Sequence, residues 1–380
     1  SPDLLRRAHR HRRLLMDFSD FFSPHYAAAR TRFLEHATAA GAHLAHYAHP
    51  EQSGPNGEAL GIDVAHLGNR NGARQLVVIS GTHGLEAYAG SAAQIAWLKL
   101  FRPQALAHDV GVLLIHGLNP YGFAHFTRTT ENNVDLNRNF IDHAAPPENP
   151  DYSRLHPHLI ATDWSFETQH ALTDAEAGFR AEYGADALFN ARVKGQYAHP
   201  DGPYFGGHQR EWSNLTLERI VDEHLASAAR VGLIDWHTGL GDYAQPFFLC
   251  FSPEDSEHWT LAKQWWGAER IENARPHGLA RPAYVGLVFQ GLQQFLGTRP
   301  LVGAVVEFGT RGTAMNHAQA LDQWLRKQDA AFRRTDRHQQ LLADLRDAYV
   351  PVAQTWRNAV IHQGVAITDQ ALAGLTHWPA

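Results

Sequence analysis

One short stretch limits the architecture more than any other. Gln75–Ser80 reads as an apolar strand, Gly81-Thr-His-Gly-Leu-Glu86 follows it as a glycine-bounded turn, a helical spacing runs from Tyr88 to Phe101, and Val110–His116 is a second strand. Two strands joined through a helix pair in parallel, because a parallel pair needs a crossover connection that a tight hairpin cannot supply. Further strand patterns lie at Leu44–His49, Ala59–His66, Val231–Trp236, Phe247–Phe251 and Val302–Phe308. Helical spacings cover Ser23–Ala42, with Ser23 as its cap and Gly41 at its end, then Leu215–Arg230, Leu321–Phe332, Gln339–Tyr349 and Val352–Ile361. The expected fold class is α/β: a single domain with a central mixed, largely parallel β-sheet flanked by helices. Residues 141–210, rich in Pro, Gly, Asp and aromatic residues, read as a long loop insertion with one helical stretch near Asp174–Ala191.

Composition removes whole classes of function. With 44% hydrophobic and 11% aromatic residues, the chain can build a core, which excludes a disordered or fibrous protein. A formal charge of -6 provides no basic footprint for a polyanion, so no nucleic-acid partner is expected. No run approaches the ~20 apolar residues of a membrane span, so no membrane partner is expected either. The single cysteine, Cys250, rules out an intramolecular disulfide and a cysteine-built zinc site; its apolar surroundings, Pro246–Phe251, mark it as a buried structural thiol. Residues 1–15, with five arginines, read as an upstream extension or a frayed basic tail ahead of one domain spanning 16–380. The long apolar segment of a secretory signal is missing there, which leads to a cytoplasmic expectation.

Four clusters could carry chemistry. His83 and Glu86 stand three residues apart beyond a strand's carboxyl end, where open α/β sheets bind ligands, and both side-chain types suit zinc. That spacing is weak by itself, and a third donor is needed; His237, just past Val231–Trp236, is the best placed among the other histidines. Asn119-Pro-Tyr-Gly122, Arg128 and Asp135-Leu-Asn-Arg138 form a polar constellation. There Arg138 offers a planar fork for a carboxylate and Asn137 an amide donor, against which stands a plain cap and ion-pair cluster. Glu307 is the lone charge in the strand Leu301–Phe308. Burial would raise its proton affinity toward a general base's range, while an ion pair with Arg311 is the structural alternative.

Together and in this order these motifs resemble the zinc carboxypeptidase family related to carboxypeptidase A: His-x-x-Glu after a strand, Asn-Pro-x-Gly, an Arg ahead of Asp-x-Asn-Arg, a strand-borne His and a late strand Glu. The match spans about residues 75–310, and the segment Gly195–Gly207 resembles a bacterial, intracellular branch of that family. The resemblance implies one zinc ion held by His83, Glu86 and His237 with a water in the fourth position, Glu307 as proton acceptor and donor, and Arg128 steadying the oxyanion. It further implies Asn137 and Arg138 on the substrate's free carboxylate and Asp135 orienting His83. The family's mobile tyrosine has no firm counterpart; Tyr284 fits the interval before Glu307, with Tyr197 and Tyr204 as rivals. Arg138 and His237 are 99 positions apart, more than the secreted digestive enzymes use, so the insertion is expected to form a lid or wall over the cleft. By the same resemblance, the uncharged stretch Phe289–Leu296 would line the specificity pocket and favour an uncharged substrate residue.

The activity expected is a metallocarboxypeptidase releasing a C-terminal amino acid from a short peptide. A zinc deacylase of N-acyl amino acids, akin to the aspartoacylase branch, needs the same parts. A non-catalytic zinc- or peptide-binding module needs no Glu307. Either enzyme takes a peptide or N-acyl amino acid bearing a free carboxylate.

Overall fold

The computed structural model describes residues 18–101, 106–272 and 275–378. The expected basic tail, residues 1–15, lies outside them. Seven strands make one sheet: β1 (His43–Ser53), β2 (Ala59–Gly68), β3 (Arg74–Ser80), β4 (Val110–His116), β5 (Arg230–Tyr243), β6 (Pro246–Leu249) and β7 (Leu301–Gly309). Their order is β1-β2-β4-β3-β5-β7-β6. The central four strands, β4, β3, β5 and β7, run parallel, and the flanking pairings β1/β2, β2/β4 and β6/β7 are antiparallel. The sheet is mixed with a parallel centre, as the strand and helix alternation predicts.

The central strands are largely apolar because they are covered on both faces. β4 is buried at every position and β7 likewise. Alternation along them divides the core in two: Val78, Leu114, Ile234 and Val306 face one cluster, and Val77, Ile79, Leu113 and Leu233 face the other. Helix α1 (Tyr26–Ala39) and helix α2 (Ala87–Leu100) cover the first face. Gly90 lets α2 approach closely, since a Cβ there would stand 2.7 Å from Ser80 Cβ and 3.1 Å from Trp236 Cβ. Helix α3 (Pro120–His125) follows β4, its N-terminus capped by Asn119.

The insertion is more regular than expected, with helices α4 (Pro150–Leu155), α5 (Phe166–Tyr183) and α6 (Ala185–Val193). The single helix expected over Asp174–Ala191 is two, divided at Gly184, whose φ of 92° an α-helix cannot contain. Helix α7 (Trp212–His224) starts and stops earlier than its pattern suggests. After it come α8 (Glu257–Trp266), α9 (Ala268–Glu272) and α10 (Val288–Leu296), none of which the spacing revealed. The chain ends with α11 (Met315–Leu325), α12 (Ala330–Arg333), α13 (Asp336–Tyr349) and α14 (Gln354–His377). The pattern Leu321–Phe332 therefore merges two helices, and the last one runs well beyond Ile361. The cap of α1 is His25, whose ring accepts the Ala28 N–H at 3.3 Å, and not Ser23. Among the described residues no helix is long and apolar enough to cross a membrane.

Candidate active site

Parallel register brings the chemistry to one end of the sheet. Strands β3, β5 and β7 end side by side, with Ser80 opposite Trp236 and His237 opposite Glu307. The turn after β3 presents His83 and Glu86; Gly84 permits it, because a Cβ there would stand 2.0 Å from the Gly122 backbone and 2.4 Å from the Thr127 carbonyl. The Asn-Pro-Tyr-Gly motif is thus a packing partner of the turn. Asn119 accepts the Gly122 N–H at 2.9 Å and donates to the Arg128 carbonyl at 3.3 Å, and that same carbonyl takes the Gly84 N–H at 3.1 Å.

His83, Glu86 and His237 each offer a donor atom within 4.8 Å of the others, and all three are buried. His83 Nδ1 lies 3.0 Å from Glu86 Oε1, His237 Nδ1 lies 3.1 Å from Glu86 Oε2, and the two Nδ1 atoms are 3.1 Å apart. Ligands at ~2.0–2.1 Å around a tetrahedral zinc stand roughly 3.3 Å from one another, so these spacings fit such an ion. Two imidazole nitrogens cannot both carry a proton across 3.1 Å, and a dication between them removes that conflict. Each ring turns its other nitrogen to a carboxylate: His83 Nε2 meets Asp135 Oδ1 at 2.9 Å, and His237 Nε2 is 2.9 Å from Asp235 Oδ2, although off the line of a hydrogen bond. A carboxylate behind a metal-binding imidazole fixes which nitrogen faces the metal. Asp235, unrecognised in the sequence, also accepts the Thr82 hydroxyl at 2.8 Å. Its signal was present as Asp-x-His on one strand, since residues two apart share a face.

Arg128 is tied to this cluster, donating to Glu86 Oε1 at 2.9 Å and to Asp135 Oδ2 through Nε at 3.3 Å and Nη2 at 3.1 Å. Burial works against its charge, but Asp135 and Glu86 overcome it and keep the guanidinium protonated. Burial likewise opposes ionisation of Asp135, yet Arg128 and His83 hold it well below the usual carboxylate range. Asp135 also caps the turn Leu136–Arg138 by accepting the Asn137 N–H at 3.0 Å.

Glu307 is 9% exposed, and burial together with the nearby Glu86 pushes its carboxyl up to about 7. The ion pair with Arg311 does not form; Arg311 reaches Asp344 at 2.9 Å and Asp347 at 3.2 Å, and Glu307 Oε2 instead takes the Leu240 N–H at 3.3 Å. His83, Glu307, Arg128, Asn137, Arg138 and Tyr284 all line one cavity of about 570 Å³. Asn137 fixes its amide oxygen on the Val288 N–H at 2.8 Å, leaving the NH2 end as the free donor. Arg138 uses three of its five N–H groups on the carbonyls of Val193 and Asn137, at 2.6–3.0 Å, so two remain for a ligand. Tyr284 lies with its ring 5.2 Å from the Arg138 guanidinium carbon, its phenol held well above its ordinary value by burial. Of its rivals, Tyr204 lines the cavity, while Tyr197 is buried outside it and donates to the Arg138 carbonyl at 2.6 Å.

The insertion walls the cavity through Thr173, Glu176 and Arg180 of α5 and Leu188, Phe189 and Arg192 of α6. Arg192 is 3% exposed and ion-paired with Glu176. The expected pocket lining Phe289–Leu296 is misplaced. These residues form α10, whose apolar side packs into the core, and the cavity takes its apolar surface from Leu249, Phe251, Leu279 and Leu287 instead. The uncharged-residue preference loses its basis, because charged side chains from the insertion share that wall.

Residues 22–363 match the family model described as "Protein of unknown function (DUF2817)". The chain belongs to that family. Among solved structures, bovine thrombin-activatable fibrinolysis inhibitor, bound to a tick carboxypeptidase inhibitor, superposes with a TM-score of 0.51 at 9% identity, covering 94% of this chain and 98% of that one. A provisionally assigned metallopeptidase from Shewanella denitrificans gives 0.42 at 14% identity over 78% and 86% of the two chains. The succinylglutamate desuccinylase of Chromobacterium violaceum gives 0.36 at 17% identity over 84% and 74%. No curated protein matches the chain. The fold of this DUF2817 chain is therefore zinc-carboxypeptidase-like, in agreement with the motif resemblance.

Proposed function

We propose that the protein is a zinc-dependent hydrolase that releases a C-terminal amino acid from a short peptide. The observation that carries this reading is the buried His83, Glu86 and His237 cluster, whose His83 lines one cavity together with Glu307 and Arg138. Bound there, zinc would act as a Lewis acid and bring the pKa of a bound water from 15.7 to roughly 7. Glu307, whose proton affinity is raised in the metal-free protein by burial and by the nearby Glu86, takes the attacking water's proton and returns it to the leaving amine. Arg128 directs positive charge at the carbonyl oxygen, a contribution of roughly 3–4 kcal/mol to such barriers. Asn137 and Arg138 hold the free carboxylate with their uncommitted donors, Tyr284 flanks Arg138, and Asp135 keeps His83 oriented.

A second reading, deacylation of N-acyl amino acids, is favoured by the insertion wall. A cavity of about 570 Å³ is of the size that holds small ligands. Turnover measured with and without a chelator, on C-terminally free peptides, amidated peptides and N-acyl amino acids, tests both. Chelator-sensitive cleavage of free but not amidated peptides supports the peptidase, and cleavage confined to N-acyl amino acids supports the deacylase. A metal-loaded protein with no turnover on any of them would leave the non-catalytic binding module.

A further inference from the structure

Tyr204 is held in a conformation that a large side chain rarely adopts, and its ring lies against two of the cavity's arginines, Arg128 and Arg138. Its φ of 58° lies in the left-handed region, which costs a non-glycine residue roughly 1–2 kcal/mol. The surrounding chain enforces it. Gln196 N–H bonds the Tyr204 carbonyl at 3.1 Å, Asp135 N–H bonds the Phe205 carbonyl at 2.7 Å, and Asn139 bonds the Gly206 carbonyl at 2.9 Å. This loop is therefore woven onto the segment that carries Asp135 and Arg138. The Tyr204 hydroxyl donates to Gln319 Oε1 at 2.8 Å, and Arg192 of the insertion reaches the same oxygen at 3.4 Å.

The ring lies 5.4 Å from the Arg128 guanidinium carbon and 5.5 Å from that of Arg138. Those two carbons can thus be no farther apart than the sum of the distances, about 11 Å. Between guanidinium groups so placed, one residue of substrate fits: its carbonyl oxygen toward Arg128 and its carboxylate toward Arg138. A second residue would add ~3.3–3.6 Å. Each cation-ring contact contributes about 0.5–2 kcal/mol, in addition to the bonds that Arg128 makes to Glu86 and Asp135 and Arg138 makes to the Val193 and Asn137 carbonyls.

We infer that Tyr204 is a positioning residue that sets the spacing between the two arginines and so restricts the substrate to a free carboxylate one residue beyond the bond that is cut. The inference rests on the hydrolase reading for its biological use, but the spacing itself is a property of binding. It is tested by calorimetric titration of the purified protein with malonate, succinate, glutarate and adipate, a ladder that lengthens one methylene at a time. The wild type binds one length best, with affinity about tenfold weaker two methylenes away. Tyr204→Phe keeps that peak, because the ring remains. Tyr204→Ala flattens the ladder to within about threefold. A peak as sharp in Tyr204→Ala as in the wild type, or no peak in the wild type, overturns the inference. Should Tyr204→Ala fail to unfold cooperatively on heating, Tyr204→Leu replaces it; the bulk then stays while the aromatic face over the two arginines is lost, and a ladder unchanged from wild type is the refuting result. Hydrolysis is assayed alongside: absent turnover with the binding peak intact overturns the hydrolase reading alone, and turnover without a peak overturns the spacer alone.

Discussion

Replacing Asp235 by asparagine tests the metal centre at the residue that the sequence left unmarked. Oδ1 of Asp235 accepts from Thr82 at 2.8 Å, so the carboxylate cannot swing away, and Oδ2 stays 2.9 Å from His237 Nε2. Both side chains are 1% exposed. A metal on Nδ1, beside His83 and Glu86, requires His237 to carry its proton on Nε2, and a carboxylate beside Nε2 favours that form. An asparagine in the same place, its oxygen retained by Thr82, turns an NH2 group to Nε2. The imidazole then gains by accepting at Nε2 and carrying its proton on Nδ1, the nitrogen that must be free for a metal. Loss of such an orienting carboxylate weakens metal binding by roughly 10–100-fold, or about 1.4–2.7 kcal/mol. Zinc affinity is measured by competition with a chromophoric chelator, and thermal unfolding in the absence of metal confirms that the fold is kept. An affinity within twofold of wild type would refute the tautomer argument and, with it, His237 Nδ1 as the ligating atom.

Other perturbations separate the roles further. Glu307→Gln should retain zinc and lose turnover, whereas His237→Ala should lose both; metal analysis and a peptide assay on the same preparations decide, and full zinc content in the second variant would remove His237 from the ligand set. In chelator-treated protein, the Glu307 carboxyl titrates near 7 rather than at its ordinary 4.5. The folded state then holds a proton that the unfolded chain has released, so stability falls as pH rises from about 4.5 to 7, by up to ~3 kcal/mol relative to Glu307→Gln. Urea unfolding of both proteins across that range checks the sign, and parallel curves would show that Glu307 is not raised. Arg138→Lys keeps the charge but loses the fork, and should lower kcat/KM for free-carboxylate substrates roughly 10–100-fold, mainly through KM; an effect equally large on amidated substrates would move Arg138 out of the carboxylate clamp.

The parts of the site that could be read were side chains at odds with their local element. Glu307 inside Leu301–Gly309 and His83 between two glycines have no packing reason to be where they are, because parallel strands buried on both faces otherwise read as largely apolar runs. Asp235 escaped because it and His237 lie in the same polar end of β5, where a pair of polar residues reads as a strand running out. Only the alternation of faces tells that both point to one side. The helices of the insertion escaped for a different reason. α5 carries a single buried residue, Phe179, so it presents no apolar stripe, and its place is set by Glu176 meeting Arg192 and Asn316 across the cavity wall. Phe289–Leu296 shows the converse error: an uncharged segment is expected to line a pocket, yet α10 turns Phe289, Leu292 and Leu296 into the core. Tyr204 lies beyond both kinds of signal. A tyrosine in a glycine-rich loop carries no local mark of a left-handed backbone, and its contacts with Arg128 and Arg138 exist only once β3, the turn at Asp135 and the insertion have closed on one another. Local chemistry thus marks the candidate reacting groups, while the spacing proposed to select their substrate is written in tertiary closure.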